Sequence, residues 1–437
     1  TAYDISLGLV GSEMCIRDSS ITACYQNTSL LLPTSRVSLA YPIKFYRITG
    51  DLELFKDIWA ETLQRLWDPD NLTTYDYNET SGERVNGALG PDSFLMNAFA
   101  FYCAYEITGN KTYLDWCQAI VSKAYEYAST YNLFTFTVYS NGTVVYGSAV
   151  IYDQLPACCY LRWFGERFNN QTWIDLADAI WDKLWSYANP LFPQSINQTG
   201  GITNDIGVGL YYAVPCCLAQ LMFDSPTLRK WAQQLIDYYA KVMELDPDEQ
   251  KLIQQNCYYN GTPRSSRIYR LSYETNHIRF LCAWSHLTGN KTGIEQAEHL
   301  ASWTMVHMNA TYGYVERLNA IDLSVVRTDI DTGYLTKFIT GLIWLFRVTR
   351  NETYAKEACR LLDILWQFRG ETGIYSEWDA QTGEILTTLE NQLLAPLNEW
   401  LYAMTFTHDD AVCLTHSNFQ DKYILPHFGT FSWKAKK

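Results

Sequence analysis

One spacing constrains this chain more than anything else in it. Threonines that open polar turns recur at Thr49, Thr108, Thr288, Thr349 and Thr407, separated by 59, 180, 61 and 58 residues. The step is close to sixty, and the long gap holds two altered copies, Phe164-Gly165-Glu166 and Phe223-Asp224-Ser225. A period in this range marks a unit that cannot bury its own apolar face, so successive units must stack or close into a ring.

The unit itself is legible in Thr328 to Phe368. Gly333 to Phe346 is apolar on nearly every side, as a helix is when other helices surround it. After a short turn, Tyr354, Ala355, Ala358, Leu361, Leu362, Leu365 and Phe368 fall at helical spacing with Arg360 and Asp363 between them, which gives one apolar stripe and one wet face. Each repeat is therefore an inner helix, a tight turn and an outer helix. The pattern predicts inner helices near 38–48, 93–107, 154–164, 208–223, 275–287, 332–347 and 392–405. Outer helices are predicted near 52–67, 111–128, 172–187, 226–243, 291–307 and 352–368. Seven inner and six outer helices fit an all-α (α/α)6 toroid with one extra helix, or an (α/α)7 ring with an outer helix missing from the start. Ile206 to Phe223 approaches membrane-spanning length, but Pro215 and Gln220 interrupt it and it keeps the repeat cadence, so it reads as buried helix.

The two kinds of connection differ. Inner-to-outer turns take a few residues, whereas outer-to-inner loops run to about twenty, more than connection alone requires. Long loops on a rigid scaffold carry function, and these all emerge on one end of the ring. Two read as strand hairpins, Phe134 to Tyr146 around Asn141-Gly142 and Ile374 to Thr387 around Thr382-Gly383.

Composition narrows the compartment and the partners. With 48% hydrophobic and 15% aromatic residues the chain can bury a large core, and the unbroken cadence argues for one domain over residues 20–437. A net charge of -14 argues against nucleic acid or an anionic membrane as partner. Eleven N-x-S/T sequons, at Asn27, Asn71, Asn78, Asn110, Asn141, Asn170, Asn197, Asn260, Asn290, Asn309 and Asn351, point to an N-glycosylated protein of the secretory route. Cys103, Cys158, Cys159, Cys216, Cys217 and Cys282 fall on apolar helices and read as buried thiols, while Cys24, Cys257 and Cys413 fall in loops and are the disulfide candidates. No C-x-x-C pair supports zinc, and no calcium loop signature is present, although calcium bridging loop carboxylates is compatible with such a ring. Residues 1–19, ending in GLVGSEMCIRDS, resemble translated sequencing adapter, which implies a non-native leader.

The loop ends carry acids. Asp92, Asp153, Asp205, Glu274 and Asp331 each sit where a long loop enters an inner helix, so five successive hairpins present a carboxylate at the same end. Taken singly, each aspartate can be a helix N-cap. Taken together, they converge, and convergent carboxylates beside aromatic faces suit glycoside chemistry: one acid protonates the departing oxygen while a second activates water or attacks the sugar. Tyr152, Tyr273, Tyr334, Trp378 and Trp400 are the aromatic candidates for stacking on sugar rings.

Sixty-residue helical hairpins with turns such as ITGNKTYLD (Ile107 to Asp115) and LTGNKTGIE (Leu287 to Glu295) resemble the six-hairpin glycosidase superfamily over about Ser35 to His408. That resemblance implies carbohydrate work in a central funnel by a glycoside hydrolase, a sugar epimerase or a polysaccharide lyase, and it assigns no particular residue a role. Within Pro263 to Phe280, Arg264, Arg267, Arg270 and Arg279 surround Glu274 and His277. Arginine forks match the carboxylate of a uronic acid, and they equally match surface acids of the protein itself. The leading expectation is a secreted hydrolase using a pair of the five acids. An epimerase or lyase would draw its base from His277 or Tyr273 with Arg279 beside it, and a non-catalytic carbohydrate-binding toroid would lock the acids in caps and ion pairs.

Overall fold

The computed structural model describes residues 52–77, 84–208, 213–253, 256–368, 373–387 and 390–392, together with Leu39, Pro42, Ile43 and Tyr46. Among the described residues eleven helices follow one another: α1 (Leu52–Leu66), α2 (Pro91–Thr108), α3 (Lys111–Ser129), α4 (Ile151–Arg167), α5 (Gln171–Trp185), α6 (Ala213–Leu221), α7 (Pro226–Glu244), α8 (Leu271–Thr288), α9 (Thr292–His307), α10 (Thr332–Thr349) and α11 (Glu352–Gln367). Helices α2, α4, α6, α8 and α10 pack successively against one another, and each packs on the outer helix that follows it. This is the inner and outer layering of the (α/α)6 toroid. The inner helices predicted near 38–48 and 392–405 lie mostly or wholly outside the described residues, as do Trp400, Cys24 and Cys413.

The layering follows from burial. Inner helix α10 buries Leu335, Phe338, Ile339, Leu342, Leu345 and Phe346 on several sides, whereas outer helix α11 buries a single stripe of Tyr354, Ala358, Leu361, Leu362, Ile364 and Leu365. Inner helices approach closely where a side chain is absent: a Cβ on Gly341 of α10 would lie 3.0 Å from Cβ of Ile278 on α8. Any larger residue there would push two core helices apart.

The recurring turn has a physical basis repeated almost atom for atom. The Oγ1 of Thr108 donates to the carbonyl of Ala104 at 2.7 Å and accepts from the N–H of Asn110 at 3.2 Å. Gly109 takes φ +71°, and the side chain of Asn110 then caps α3 by accepting from Thr112 N at 3.1 Å. Thr288, Gly289 and Asn290 repeat this before α9, and Thr349, Arg350 and Asn351 before α11. Asn170 caps α5 in the altered third copy, and Ser225 caps α7 in the fourth. At Asn110, Asn170 and Asn351 the N-x-T spelling therefore has a cause in helix capping, independent of any glycan, and Asn290 accepts the same bond from Thr292 N one residue before the N-cap Lys291 of α9. Asn141, Asn197 and Asn260 likewise accept from the backbone N–H two residues on.

The long loops carry small antiparallel sheets. Phe136–Tyr139 pairs with Val144–Tyr146 around Gly142 at φ +80°, as the sequence predicts. The other predicted hairpin is rearranged. Trp378 bridges Ile385, but Glu377–Asp379 pairs chiefly with Asp329–Asp331, and Gly373–Tyr375 pairs with Glu390–Gln392. Two further sheets escape sequence patterning: Phe192–Ile196 with Ile202–Val208, and Ile268–Arg270 with Arg317–Asn319 and Val325–Arg327. Among the described residues no helix is long and apolar enough to cross a membrane, and the stretch from Ile206 becomes strand followed by the buried helix α6. Cys257 is a buried free thiol donating to the carbonyl of Leu245. It lies in a loop, as the sequence predicts, but is not bridged in this structure, the other two disulfide candidates lying outside the described residues.

Candidate active site

The five acids separate into distinct environments. Asp92 is the second residue of α2, after Pro91, and the helix is capped by the backbone at Gly90 rather than by a side chain. Asp153 is the third residue of α4, whose N-cap is Val150, again without a side-chain cap. Neither residue is therefore the N-cap of its helix. The two interact with each other: burial first, then the charge of Asp92, push the Asp153 carboxyl up to about 8. Burial also raises Asp92, opposed by hydrogen bonds from the backbone and hydroxyl of Ser93, the latter at 3.3 Å. Two buried carboxyls that repel one another cannot both ionise, so the pair keeps a proton at neutral pH.

The other three go elsewhere. Asp331 is a true N-cap of α10, accepting from the N–H of Gly333 at 2.6 Å. Asp205 lies exposed on the strand Ile202–Val208 and enters no helix. Glu274 is wholly buried, its carboxylate accepting from the N–H of Ile253 at 3.2 Å, and burial raises its carboxyl well above the ordinary carboxylate range. It faces the loop after α7, with Asp246 as its charged neighbour, and not the Asp92–Asp153 pair. Of the five acids, Asp92 and Asp153 interact with each other, while Asp331 serves as a cap, Glu274 bonds the loop after α7 and Asp205 lies on a strand.

The tyrosines do converge. Tyr152 interacts electrostatically with both Asp153 and Asp92 and hydrogen-bonds Gln194, and burial raises its phenol. Tyr273, also raised by burial, lies within electrostatic reach of Arg270, Tyr152, Tyr334 and Arg317. Tyr152 and Tyr273 stand on α4 and α8, which are separated by a whole hairpin, so both must lean toward the ring axis to meet. Arg270 lies over the Tyr273 ring at 5.4 Å and Lys337 over the Tyr334 ring at 5.6 Å, placing cations beside two of the three phenols.

Several expected contacts with substrate are corrected by burial. Trp378 has no exposed surface, donates its indole N–H to the carbonyl of Tyr312 at 2.9 Å and stacks on Phe368 at 4.3 Å. It is core. His277 is 1% exposed, packs on Tyr239 at 4.7 Å, and burial lowers its imidazole to about 3, so it is neutral and shielded from solvent. Its Nδ1 has no hydrogen-bond partner among the described residues. Arg279 is half-buried two turns into α8. The expected arginine cluster also divides: Arg267 is held by Asp248 through two bonds of 2.8 and 2.7 Å, which leaves Arg270 as the one beside Tyr273.

Sequence reasoning missed Arg317, Glu377 and Gln194. Glu377 pairs in register with Asp331, and burial together with the charge of Asp331 raises it. All three arrive on strands of long loops, and a strand's partner is chosen by tertiary pairing, so no local pattern announces them. Among the described residues no group of three or more His, Cys, Asp or Glu side chains is arranged to hold a metal ion.

No family model matches the chain, and no curated protein matches it by sequence. Solved structures do. A D-mannose isomerase superposes with a TM-score of 0.63 at 13% identity, covering 82% of this chain and 97% of its own. An α-1,2-mannosidase from Trichoderma reesei gives 0.60 at 14% identity over 91% and 94%, and a cellobiose 2-epimerase from Bacillus thermoamylovorans B4167 gives 0.59 at 12% over 81% and 98%. At these identities the chain shares their (α/α)6 toroid fold.

Proposed function

We propose that the protein is a glycoside hydrolase in which Asp92 and Asp153 are the working carboxylates. The observation that carries this is the interacting buried pair at the loop end of two adjacent inner helices. Asp153, held protonated at neutral pH, is the general acid that gives its proton to the departing glycosidic oxygen. Asp92, as the ionised member, activates water or attacks the sugar. Tyr152 and Tyr273 border the pair and offer ring faces and hydroxyls to a sugar. Fold neighbours named as a D-mannose isomerase, a cellobiose 2-epimerase and an α-1,2-mannosidase support a carbohydrate substrate by analogy. Secretion and N-glycosylation belong to the same proposal. They rest on the sequons, three of which also serve as helix caps.

The epimerase reading keeps Tyr273 of its two expected bases, because His277 is buried out of reach of a substrate. A non-catalytic toroid would lock every acid away, and that describes Glu274 and Asp331 but not exposed Asp205 or the remaining pair. The test is release of new reducing ends from a panel of glycans by wild-type, Asp92→Asn and Asp153→Asn protein. Loss of activity in both variants supports the assignment. Unchanged release, or a product with no new reducing end, ends it.

A further inference from the structure

The three-stranded sheet of residues 268–270, 317–319 and 325–327 has an unusual register. Arg270 stands directly opposite Arg317, and Arg317 directly opposite Arg327. Residues paired in this way project on one face with Cβ atoms roughly 4.5–5.5 Å apart, and like charges there are destabilising. The register is fixed from the other face, where Tyr269 pairs with Leu318 and both are fully buried; a slip by one residue would turn arginines into the core. A chain with 33 basic and 47 acidic residues has thus lined up three cations side by side.

Only part of that charge is answered from within. Buried Glu316 lies 3.0 Å from Nε of Arg317 and 3.2 Å from Nη1 of Arg327, and Arg327 also pairs with Asp329. Arg270 pairs with no carboxylate among the described residues, and its Nε is buried without a hydrogen-bond partner. A buried donor left unpaired is unfavourable, and here it sits on the arginine that lies over the Tyr273 ring. Tyr273 lies within electrostatic reach of Arg270 and Arg317 on one side and Tyr152 on the other, and Tyr152 leads to Asp153 and Asp92.

We propose that Arg270, with Arg317 beside it, is an anion subsite that takes the carboxylate of an acidic sugar in the glycan. The inference rests on the glycan reading of the Asp92–Asp153 pair and adds a charge to its substrate. A planar guanidinium matches a planar carboxylate through two parallel hydrogen bonds, which is the geometry a uronate offers. Glu316 braces the two neighbouring arginines so that the third is left for the ligand.

The experiment is calorimetric titration of full-length protein with methyl glucuronoside, methyl glucoside and methyl glucoside 6-sulfate at low and high salt. The glucuronoside is expected to bind at least about tenfold more tightly than the glucoside at low salt, with a smaller margin at high salt. Arg270→Gln should erase most of that margin, and Arg270→Lys, which keeps charge but not the fork, should keep part of it. Equal binding of acidic and neutral sugars, no binding of either, tighter binding of the sulfated sugar, or a margin untouched by Arg270→Gln would overturn the proposal. Should Arg270→Gln fail to fold, the wild-type salt dependence decides, a salt-insensitive margin counting against it. If the glucuronoside binds yet no glycan is cleaved, the hydrolase reading falls and the subsite stands. Cleavage of neutral glycans without charge preference gives the reverse.

Discussion

The two ends of this ring are made from the same hairpins and handle polar groups in opposite ways. At the short-turn end the groups that shape each turn are satisfied locally: Thr108, Thr288 and Thr349 bond back into their helices, and the asparagines two positions on accept from a backbone N–H at the start of the next. At the loop end, polar groups are left with unmet demands. Two carboxyls repel across adjacent helices, a guanidinium Nε is buried unpaired, and phenols crowd between them. Satisfied groups hold a scaffold, and strained or unpaired ones are where a ligand can gain binding energy.

Four measurements can break or sharpen that contrast. The largest effect is expected at the acid pair, where Asp92→Asn or Asp153→Asn should lower glycan hydrolysis by about 10²–10⁴-fold, while Asn290→Ala at the opposite end leaves it unchanged. Comparable losses in both regions would erase the functional distinction between the ends. Next, Trp378→Ala should destabilise by about 3–5 kcal/mol in denaturant unfolding, because the indole is core despite its loop address. A variant of wild-type stability with altered sugar binding would return that residue to the site.

The third test uses pH. The Asp153 carboxyl rises from 3.8 to about 8 on folding, so the folded state binds its proton more tightly than the unfolded chain. Its effect on stability is therefore most favourable below the unfolded value and is lost as pH rises toward 8. Thermal unfolding should show a fall in stability between pH 4 and 8, part of which disappears in Asp153→Asn. In the same window hydrolysis should decline as pH passes about 8, once the acid has lost its proton. A flat stability difference between wild type and variant would mean the pair is not buried together. The smallest effect is expected at the turn: Asn290→Ala removes the 2.9 Å bond it accepts from Thr292 N at the start of α9 and should cost about 1 kcal/mol with activity intact.

What the sequence determined by itself is the scaffold. Helix periodicity, the Thr-Gly-Asn turns and their sixty-residue step are local or nearly local signals. The outer helix predicted at 352–368 accordingly appears as Glu352–Gln367, and that at 226–243 as Pro226–Glu244. Five acids at helix entries were equally visible, but their spacing held no information on which way each would point. Helix phase turned Glu274 toward the loop after α7, a strand took Asp205, and a cap took Asp331, leaving two that meet. The arginine row was further out of reach, since Arg270, Arg317 and Arg327 are distant in sequence and became neighbours only through strand register. Local bonding repeats wherever its residues repeat, whereas convergence on a shared axis depends on how every hairpin packs, and only the assembled ring decides that.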